Sequence, residues 1–340
     1  MIFGYNISMK SYNTFSIDVK ARYFTSFKSV DSLMELFHLY PELLQVNRLV
    51  LGGGSNILLT KDFDGYVLKN DIEGIEKIRE DEDYVWLKSG AGVSWHQLVL
   101  YAVERGWGGM ENLSLIPGNT GAAPMQNIGA YGVELKDIFH SLEAYHINDK
   151  AHVTFHNNDC AFGYRESVFK RQYKNEFIIT SVTLCLRKKP EFHIQYGAIQ
   201  QQLEKNGVKD LSVRAVSEAV IQIRSDKLPD PKKIGNAGSF FKNPSVSSEN
   251  FEALKMQFPE LVSYKNADNT YKLAAGWLIE QCGWKGYRKG DAGCYPLQAL
   301  VLVNYDKATG AEILALSQEI QSSVNAKFGV QLEREVNLIG

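Results

Sequence analysis

Half of the glycines in this chain lie in less than a quarter of its length. Of 28 glycines among 340 residues, 14 fall between Gly52 and Gly132. Glycine adopts backbone conformations that a side chain forbids, and it lets other atoms approach the main chain closely. We therefore expect this region to form tight turns or to lie against a ligand.

The charge balance and the hydropathy pattern exclude several classes of protein. The formal net charge is −2, which gives no electrostatic reason to expect nucleic acid or an anionic membrane as the main partner. No run of 18 apolar residues occurs, and the N-terminus lacks the basic and apolar regions of a secretory signal. We therefore expect no membrane span and no export, and the sequence predicts a globular protein of the cytoplasm.

The cysteines and histidines give no sign of a disulfide framework or a metal site. The four cysteines, at positions 160, 185, 282 and 294, form no C-x-x-C pair and no zinc spacing. The seven histidines make no pair with metal-ligand spacing on one helix. We expect buried, reduced thiols and no metal.

Hydrophobic periodicity predicts a mixture of helices and strands. Helical spacing of apolar residues predicts helices at 30–40, 93–104, 196–205, 213–227, 249–258, 273–282 and 310–328. Short apolar or alternating runs predict strands at 48–52, 65–69, 84–89, 177–187 and 299–304, the first of them buried. Asn148-Asp149 between two alternating runs predicts a hairpin, and the turn formers of 228–241 predict a boundary at the start of that stretch. This pattern is typical of an α+β protein with several domains around a ligand.

The first glycine cluster, Gly52-Gly53-Gly54-Ser55-Asn56, directly follows a predicted strand. Successive glycines let several N–H groups point into one concavity that binds an anion. Ser55 and Asn56 add donors and acceptors for phosphate or ribose. A plain tight turn explains the same residues, and it is the commoner meaning of such a cluster in isolation.

The second glycine cluster is longer and carries no charged residue. It consists of Ile116-Pro117-Gly118-Asn119-Thr120-Gly121-Ala122-Ala123 and continues as Gln126-Asn127-Ile128-Gly129-Ala130-Tyr131-Gly132. Small residues admit a large planar ligand, and backbone amides can satisfy a diphosphate or the polar edge of a ring. A linker would be more charged, so the sequence favours a ligand here. Neither cluster matches G-x-G-x-x-G or G-x-x-x-x-G-K-[ST], which points away from Rossmann dehydrogenases and P-loop ATPases.

Six segments in a fixed order carry a family resemblance: LGGGSN, SGAG, NLSLIPGNTGAAPMQNIGAYG, GYRESVFK, GNAGSFFKNP and LEREVNLIG. Together they resemble the type I UDP-N-acetylenolpyruvoylglucosamine reductases (MurB) over essentially the whole chain. The resemblance implies an FAD-binding fold of the vanillyl-alcohol-oxidase (PCMH) type, with FAD bound noncovalently. It also implies that NADPH reduces the FAD, which then reduces UDP-N-acetylglucosamine enolpyruvate to UDP-N-acetylmuramate for peptidoglycan synthesis.

Three residues take catalytic roles by this resemblance. Ser239 aligns with the serine that protonates C2 of the enolpyruvyl group after hydride reaches C3. Arg165 aligns with the active-site arginine, whose planar fork suits a carboxylate or enolate. Glu335 aligns with the glutamate that helps to stabilise the intermediate, whereas Glu333, two residues earlier, is expected to be structural. In isolation, such a serine would more commonly cap a helix or turn, and such an arginine would form a surface ion pair.

The resemblance and the glycine clusters also assign binding residues. The expected FAD-binding residues are Gly52, Gly53, Gly54, Ser55, Asn56, Pro117, Gly118, Asn119, Thr120, Gly121, Gln126 and Gly129. Tyr196 falls where type I members close a tyrosine over the substrate diphosphate, although an ordinary partly buried tyrosine is the alternative. Lys227 aligns with a lysine that contacts the diphosphate, and Asn243 with a contact to the nucleotide sugar.

The sequence therefore predicts an α+β chain of three domains. Residues 1–70 and 329–340 form a first FAD-binding subdomain, to which a C-terminal strand returns, and residues 71–226 form a second. Residues 227–328 form a substrate-binding α+β domain. We expect a monomer that binds FAD, NADPH and the enolpyruvyl nucleotide, and that binds neither nucleic acid nor membrane.

Two other functions stay open at this point. A flavin oxidase of the same fold would oxidise an alcohol with oxygen and would need a base near flavin N5. A protein that binds flavin or a nucleotide sugar without catalysis would be free to lose a catalytic side chain. The joint presence of Ser239, Arg165 and Glu335 counts against this second function.

Overall fold

Helices and strands alternate along residues 2–340, which the computed structural model describes. The helices are α1 (Val30–Leu39), α2 (Trp95–Glu104), α3 (Gly197–Lys205), α4 (Val213–Lys227), α5 (Ser248–Gln257), α6 (Ala275–Gln281) and α7 (Gly310–Phe328). The strands up to residue 190 are β1 (Gly4–Ser8), β2 (Lys20–Phe27), β3 (Arg48–Leu51), β4 (Ile57–Leu59), β5 (Phe63–Asn70), β6 (Ile75–Glu80), β7 (Tyr84–Gly90), β8 (Gly129–Ala130), β9 (Val133–Glu134), β10 (Phe139–His146), β11 (Ala151–His156) and β12 (Phe177–Arg187). The later strands are β13 (Gly235–Ser239), β14 (Ser245–Val246), β15 (Ser263–Lys265), β16 (Tyr271–Leu273), β17 (Arg288–Lys289), β18 (Ala292–Cys294), β19 (Val301–Asn304) and β20 (Asn337–Ile339). The α+β class is confirmed.

The chain divides into two units, each assembled from separate stretches of sequence. The first unit contains the residues up to Ile7 together with Ala21–Gly54 and Asp64–Asp226. The second unit contains Ser8–Lys20, Ser55–Phe63 and Lys227–Gly340. The division of the FAD-binding part into subdomains 1–70 with 329–340 and 71–226 stays a prediction, as does a substrate domain that ends at residue 328.

Two sheets form most of the first unit. One has the strand order β1-β2-β5-β3, and the other is antiparallel with the order β11-β10-β12-β7-β6. Strand β12 is the centre of the second sheet and is buried along most of its length. Helix α2 contributes Trp95, Leu98 and Val99 to the core that contains Val182 and Leu184 of β12. This packing positions the segment between the end of β7 and the start of α2, which the second glycine cluster contacts.

A four-stranded antiparallel sheet with the order β13-β19-β18-β17 forms the centre of the second unit. Helix α7 supplies Ile313, Leu316 and Ile320 to the core of this unit. The last strand of the chain, β20, runs parallel to β4, with Asn337 opposite Ile57. Residues 57–59 therefore depend on the C-terminus for their strand partner.

Two local expectations were wrong in detail, and one strand was not predicted. Strand β3 lies at the edge of its sheet, and Val50 is 36% exposed, so this strand is not fully buried. The helix expected at 273–282 begins at Ala275, because Leu273 is already paired in β16. Residues 228–241 contain strand β13, whose glycines and small side chains hid it from periodicity.

Other expectations concern thiols, metals and membranes. The cysteines carry free thiols, and burial raises the pKa of Cys160 and of Cys294 to about 12. Cys185 and Cys282 are only half-buried, so the expectation that all four are buried was wrong for these two. Among residues 2–340, no group of three or more His, Cys, Asp or Glu side chains is placed to hold a metal ion. No helix in that range is both long and apolar enough to cross a membrane.

Candidate functional site

Gly52 and Gly53 of the first glycine cluster pack against the second cluster inside the first unit. A Cβ atom added to Gly53 would lie 2.8 Å from Oδ1 of Asn119 and 2.9 Å from Cα of Gly118. These distances are too short for any side chain, so the two loops meet backbone to backbone. Gly52 has more room, since its added Cβ would lie 3.6 Å from Cβ of Asn119. Each cluster was singled out on separate grounds, and the fold brings their glycines together.

A third loop, Ser89–Gly92, joins them. Nδ2 of Asn119 donates to the carbonyl of Gly92 at 2.8 Å, and the N–H of Gly121 donates to the carbonyl of Ala91 at 3.0 Å. An added Cβ on Gly121 would lie 2.5 Å from Cβ of Ala91. The SGAG segment supplied part of the family resemblance, but sequence reasoning assigned it no binding residue. Its place beside the other two loops is the signal that the sequence could not supply.

The three loops have a composition that is compatible with FAD. They contain no charged side chain, so backbone N–H groups and neutral polar side chains such as those of Ser55 and Asn56 are the donors that they offer to a diphosphate. Their glycines and small residues leave room for a flat ring system near the main chain. The residues present therefore fit the cofactor that the resemblance implies.

Other expected FAD-binding residues belong to the same loops. Gly54 is buried and adopts the left-handed region, with φ of 62°. Pro117 is exposed directly before Gly118, and Gln126 closes a short 3-10 turn that begins at Pro124. Ser55 is half-buried.

Arg165 lies at the tip of a tight turn in the first unit. Gly163 and Glu166 exchange backbone hydrogen bonds of 3.0 and 3.3 Å, and Arg165 adopts φ of 57° between them. Such a left-handed conformation is uncommon for a residue with a side chain and persists where the surroundings hold it. Asn127 supplies this support, since its Nδ2 donates to the carbonyl of Gly163 at 3.0 Å. Nη2 of Arg165 donates to the carbonyl of Gly129 at 2.7 Å, so the guanidinium reaches the second glycine cluster.

Arg224 lies close enough to Arg165 for their charges to interact, and Tyr131 is hydrogen-bonded to Arg224; neither residue was predicted as part of the site. Burial is the main cause that lowers the pKa of the Arg224 guanidinium, and the positive charge of Arg165 lowers it further. Burial also raises the pKa of Tyr131, and a side-chain hydrogen bond with Arg224 opposes that rise. The rings of Tyr131 and Tyr196 meet edge to face, with centroids 5.9 Å apart. Tyr131 lies in the third of the six segments that carry the family resemblance. Arg224 lies on the amphipathic helix α4, where its sequence context does not indicate a functional role.

Ser239 ends strand β13 in the second unit, and its side chain is exposed. The pairing of β13 with β19 is irregular between Asn236 and Ser239, and Gly238 adopts φ of 69° within that irregularity. Asn236 holds the turn: its Oδ1 accepts from the N–H of Gly238 at 3.0 Å, and its Nδ2 donates to the carbonyl of Ile234 at 2.9 Å. Because Ser239 lies in a strand, the helix-capping alternative does not apply to it. Hydrogen bonds of Asn236 therefore fix the backbone directly before Ser239, which carries the hydroxyl.

Glu335 lies on a segment that pairs with the residues after Ser239. The N–H of Glu335 donates to the carbonyl of Phe240 at 2.9 Å, and the N–H of Lys242 donates to the carbonyl of Glu333 at 2.9 Å. The carboxylate of Glu333 forms an ion pair with Nζ of Lys242 at 2.5 Å, which gives Glu333 a structural partner. Glu335, which is half-buried, therefore pairs with Phe240, the residue directly after Ser239.

The other site residues of the second unit have distinct surroundings. Nδ2 of Asn56 donates to the carbonyl of Glu335 at 3.3 Å, so these two predicted residues are held together. Oδ1 of Asn243 accepts from the N–H of Ala275 at 3.0 Å, at the start of α6. Lys227 is exposed at the last position of α4.

Two family models match the chain. The model described as "FAD binding domain" matches residues 22–152. The model described as "UDP-N-acetylenolpyruvoylglucosamine reductase, C-terminal domain" matches residues 230–339. The first match contains all three glycine loops, and the second contains Ser239 and Glu335.

Curated relatives match the chain from end to end. A UDP-N-acetylenolpyruvoylglucosamine reductase of Flavobacterium johnsoniae is 50% identical over 335 residues, which cover 98% of each chain. One of Amoebophilus asiaticus is 51% identical over 334 residues, with the same coverage. One of Pseudomonas putida is 47% identical over 333 residues, covering 98% of this chain and 97% of the relative.

A solved structure shares the fold. The crystal structure of UDP-N-acetylenolpyruvylglucosamine reductase (MurB) from Thermus caldophilus superposes with a TM-score of 0.68 and covers all of both chains, at 23% sequence identity. The predicted fold, an FAD-binding domain of this type followed by a C-terminal α+β domain, is confirmed.

Proposed function

The chain belongs to the UDP-N-acetylenolpyruvoylglucosamine reductase family, whose members are FAD-dependent oxidoreductases, and from this membership we propose its reaction. The substrate is UDP-N-acetylglucosamine enolpyruvate, the product is UDP-N-acetylmuramate for peptidoglycan synthesis, and the reductant is NADPH. The observation that carries the proposal is the identity of half of the residues to such a reductase over 98% of both chains. The convergence of three uncharged glycine loops supports the FAD requirement.

Ser239 supplies the proton in this proposal. The chemistry that FAD supplies when bound is hydride transfer, first from NADPH and then to C3 of the enolpyruvyl group. A hydride at C3 leaves negative charge at C2 and the adjoining carboxylate, and the C2 carbon then takes a proton from the Ser239 hydroxyl. The exposure of that hydroxyl and the fixed turn before it support this role. A serine is a weak acid in water, so the role also needs nearby groups that stabilise its ionised form.

Arg165 stabilises the negative charge in this proposal. A guanidinium remains charged at all relevant pH values, and its planar fork matches a carboxylate or enolate. Its hydrogen bond to the carbonyl of Gly129 orients the guanidinium, and electrostatic stabilisation requires such a preoriented charge. Arg224 adds a second positive charge beside Arg165.

Glu335 fixes the substrate and helps to stabilise the intermediate, while Glu333 serves the structure through Lys242. Tyr196 and Lys227 bind the diphosphate of the nucleotide, and Asn243 binds its sugar. The exposure of Tyr196 supports a role in closing over the diphosphate, and the exposure of Lys227 leaves its ammonium group free to contact it. Gly52, Gly53, Gly54, Ser55 and Asn56 hold FAD, together with Pro117, Gly118, Asn119, Thr120, Gly121, Gln126 and Gly129.

The test is an absorbance spectrum of the purified protein without oxygen, before and after addition of NADPH and then of the enolpyruvyl nucleotide. We expect a yellow protein that bleaches with NADPH and recovers its colour only with the nucleotide. Rapid recovery with air alone, in the absence of the nucleotide, would favour the oxidase. A colourless protein that FAD does not reconstitute would contradict the proposal.

Two expectations from the sequence complete the proposal. The reaction takes place in the cytoplasm, which cell fractionation tests. The enzyme acts as a monomer, which light scattering of the FAD-bound protein tests.

A further inference from the structure

One histidine holds the residue that precedes the second glycine cluster. His96 is half-buried at the second position of α2. Its Nδ1 accepts a hydrogen bond from the N–H of Leu115 at 3.0 Å. An imidazole nitrogen accepts only when it carries no proton, so this bond requires the neutral ring with its proton on Nε2.

Leu115 needs this support because of its backbone conformation. It adopts φ of 57°, in the left-handed region that residues with side chains rarely occupy. Two helices hold it: His96 of α2 accepts from its N–H, and Nε of Arg224 on α4 donates to its carbonyl at 3.3 Å. Leu115 is followed directly by Ile116 and Pro117, where the second glycine cluster begins.

The neighbouring residues of this segment are tied to the same two helices. Nε1 of Trp95, on α2, donates to the carbonyl of Leu113 at 3.0 Å. The hydroxyls of Ser114 and Ser217, the latter on α4, are 2.8 Å apart. The segment 113–115 is therefore clamped between α2 and α4, and among these ties only the His96 bond depends on a group that titrates near neutral pH.

We propose that His96 is a positioning residue for the FAD site: its neutral ring holds the start of the second glycine cluster, and its protonation releases that segment and weakens FAD binding. The inference rests on the proposed assignment of this cluster to FAD. His96 itself does not need to touch the cofactor, because it acts through Leu115. Leu115 also links His96 to Arg224, because Nε of Arg224 donates to the carbonyl of Leu115. Arg224 in turn lies near Arg165.

The charges around His96 favour the neutral ring. Burial is the larger cause that lowers the pKa of His96 below its ordinary value, and the positive charge of Arg224 is the smaller. On α2 itself, Tyr101 and Glu104 line the same surface depression as His96. Since folding lowers this pKa, the unfolded chain binds the proton more tightly. The contribution of neutral His96 to the stability of the folded protein is therefore complete above about pH 6.5. It is lost as the pH falls through the lowered pKa of His96 in the folded protein.

The experiment measures the dissociation constant of FAD for the apoprotein by flavin fluorescence, from about pH 5 to about pH 8. His96→Ala leaves the N–H of Leu115 without its acceptor, and we expect FAD binding about tenfold weaker than in the wild type at pH 8, with a difference that shrinks as acid weakens the wild type. His96→Asn offers an amide oxygen that does not titrate, so we expect nearly normal affinity at pH 8 that no longer weakens with acid. Gln97→Ala, on the exposed side of the same helix, is the matched control and should follow the wild-type profile.

Two results would overturn the inference: normal FAD affinity in His96→Ala, or the same acid-induced loss in His96→Asn as in the wild type. A measurement on the unmodified protein guards against variants that fail to fold. Nitrogen-15 NMR of the imidazole should show the proton on Nε2 at pH 8, and a proton on Nδ1 would contradict the inference. A wild-type protein that binds no FAD at any pH overturns the proposed function and this inference with it, whereas FAD binding that is independent of His96 overturns this inference alone.

Discussion

The hydroxyl of Ser239 is the single group whose removal should separate the two halves of the reaction. In Ser239→Ala we expect turnover to fall by about 10²–10⁴-fold, because the proposed proton donor to C2 is lost. Reduction of bound FAD by NADPH should keep its wild-type rate, since no protein proton is proposed for that step. Stopped-flow absorbance measures the two steps separately.

A matched control is available in the same unit. Ser322→Ala removes an exposed hydroxyl on α7 and should leave both steps unchanged. Full turnover in Ser239→Ala would mean that another group protonates C2. Slower reduction of bound FAD by NADPH in that variant would point to a role in holding FAD instead.

The neighbouring glycines Gly52 and Gly53 should respond differently to the same substitution. In Gly53→Ala the new methyl group lies 2.8 Å from Oδ1 of Asn119, and we expect the free energy of unfolding to fall by about 1–3 kcal/mol. In Gly52→Ala the nearest atom is 3.6 Å away, so the loss should be smaller. Urea unfolding of the two apoproteins makes the comparison, and equal losses would contradict the packing of these loops.

Only some residues of the candidate site could be predicted from the sequence. Ser239, Arg165 and Glu335 lie in ordered motifs, so their numbers followed from the resemblance. Arg224 did not, because an arginine on a helix reads as a solvated charge until the fold buries it. The positions of His96 and Leu115 gave no signal either, since a left-handed leucine is a property of the folded backbone.

At the scale of elements, the N-terminus of α7 is held by a reciprocal cap. Oγ1 of Thr309 accepts from the N–H of Glu312 at 3.2 Å, and Oε2 of Glu312 accepts from the N–H of Thr309 at 2.7 Å. In Thr309→Ala we expect the free energy of unfolding to fall by about 1 kcal/mol. Urea unfolding tests this, with Thr309→Ser, which keeps the oxygen, as the control that should lose less. No loss in Thr309→Ala would mean that packing alone fixes this end of the helix.

Strands with two neighbours were the easiest to predict. The expected strand at 177–187 matches β12 in both ends, because its long apolar run reflects burial on both faces. Helix α6 was placed too early, since the apolar Leu273 belongs to the preceding strand and periodicity does not separate the two. Strand β13 was missed because Gly235, Ala237 and Gly238 carry no strand propensity, and its pairing with β19 is a tertiary contact.

At the scale of the whole molecule, the C-terminus completes a strand pair with residues near the first glycine cluster. The carbonyl of Asn56 accepts from the N–H of Asn337 at 3.0 Å, and the N–H of Thr60 donates to the carbonyl of Ile339 at 2.8 Å. Removal of residues 337–340 should therefore lower the thermal stability and weaken FAD retention on gel filtration. Leu338→Ala is the control, because Leu338 is 42% exposed and the substitution leaves the backbone pairing intact. Equal FAD retention in the truncated and full-length proteins would contradict the prediction.

The sequence could not predict which stretches of the chain form each of the two units. Residues 8–20 and 55–63 pack with the second unit, whereas a reading along the chain groups them with their sequence neighbours. Only contacts between distant residues place them, such as the bond from the N–H of Asn236 to the carbonyl of Thr14 at 2.9 Å. The return of a C-terminal strand was expected, and β20 pairs with β4 at residues 57–59.

This last pairing also sets an order of events during protein synthesis. Ile57 and its partner Asn337 are 280 residues apart, which corresponds to about 14–56 s of translation at about 5–20 residues per second. Throughout that interval β4 exists without its partner, while the sheets of the first unit can already form. A nascent chain stalled just before residue 337 would contain the proposed catalytic residues Ser239, Arg165 and Glu335 and would still present an unpaired strand edge to chaperones and proteases.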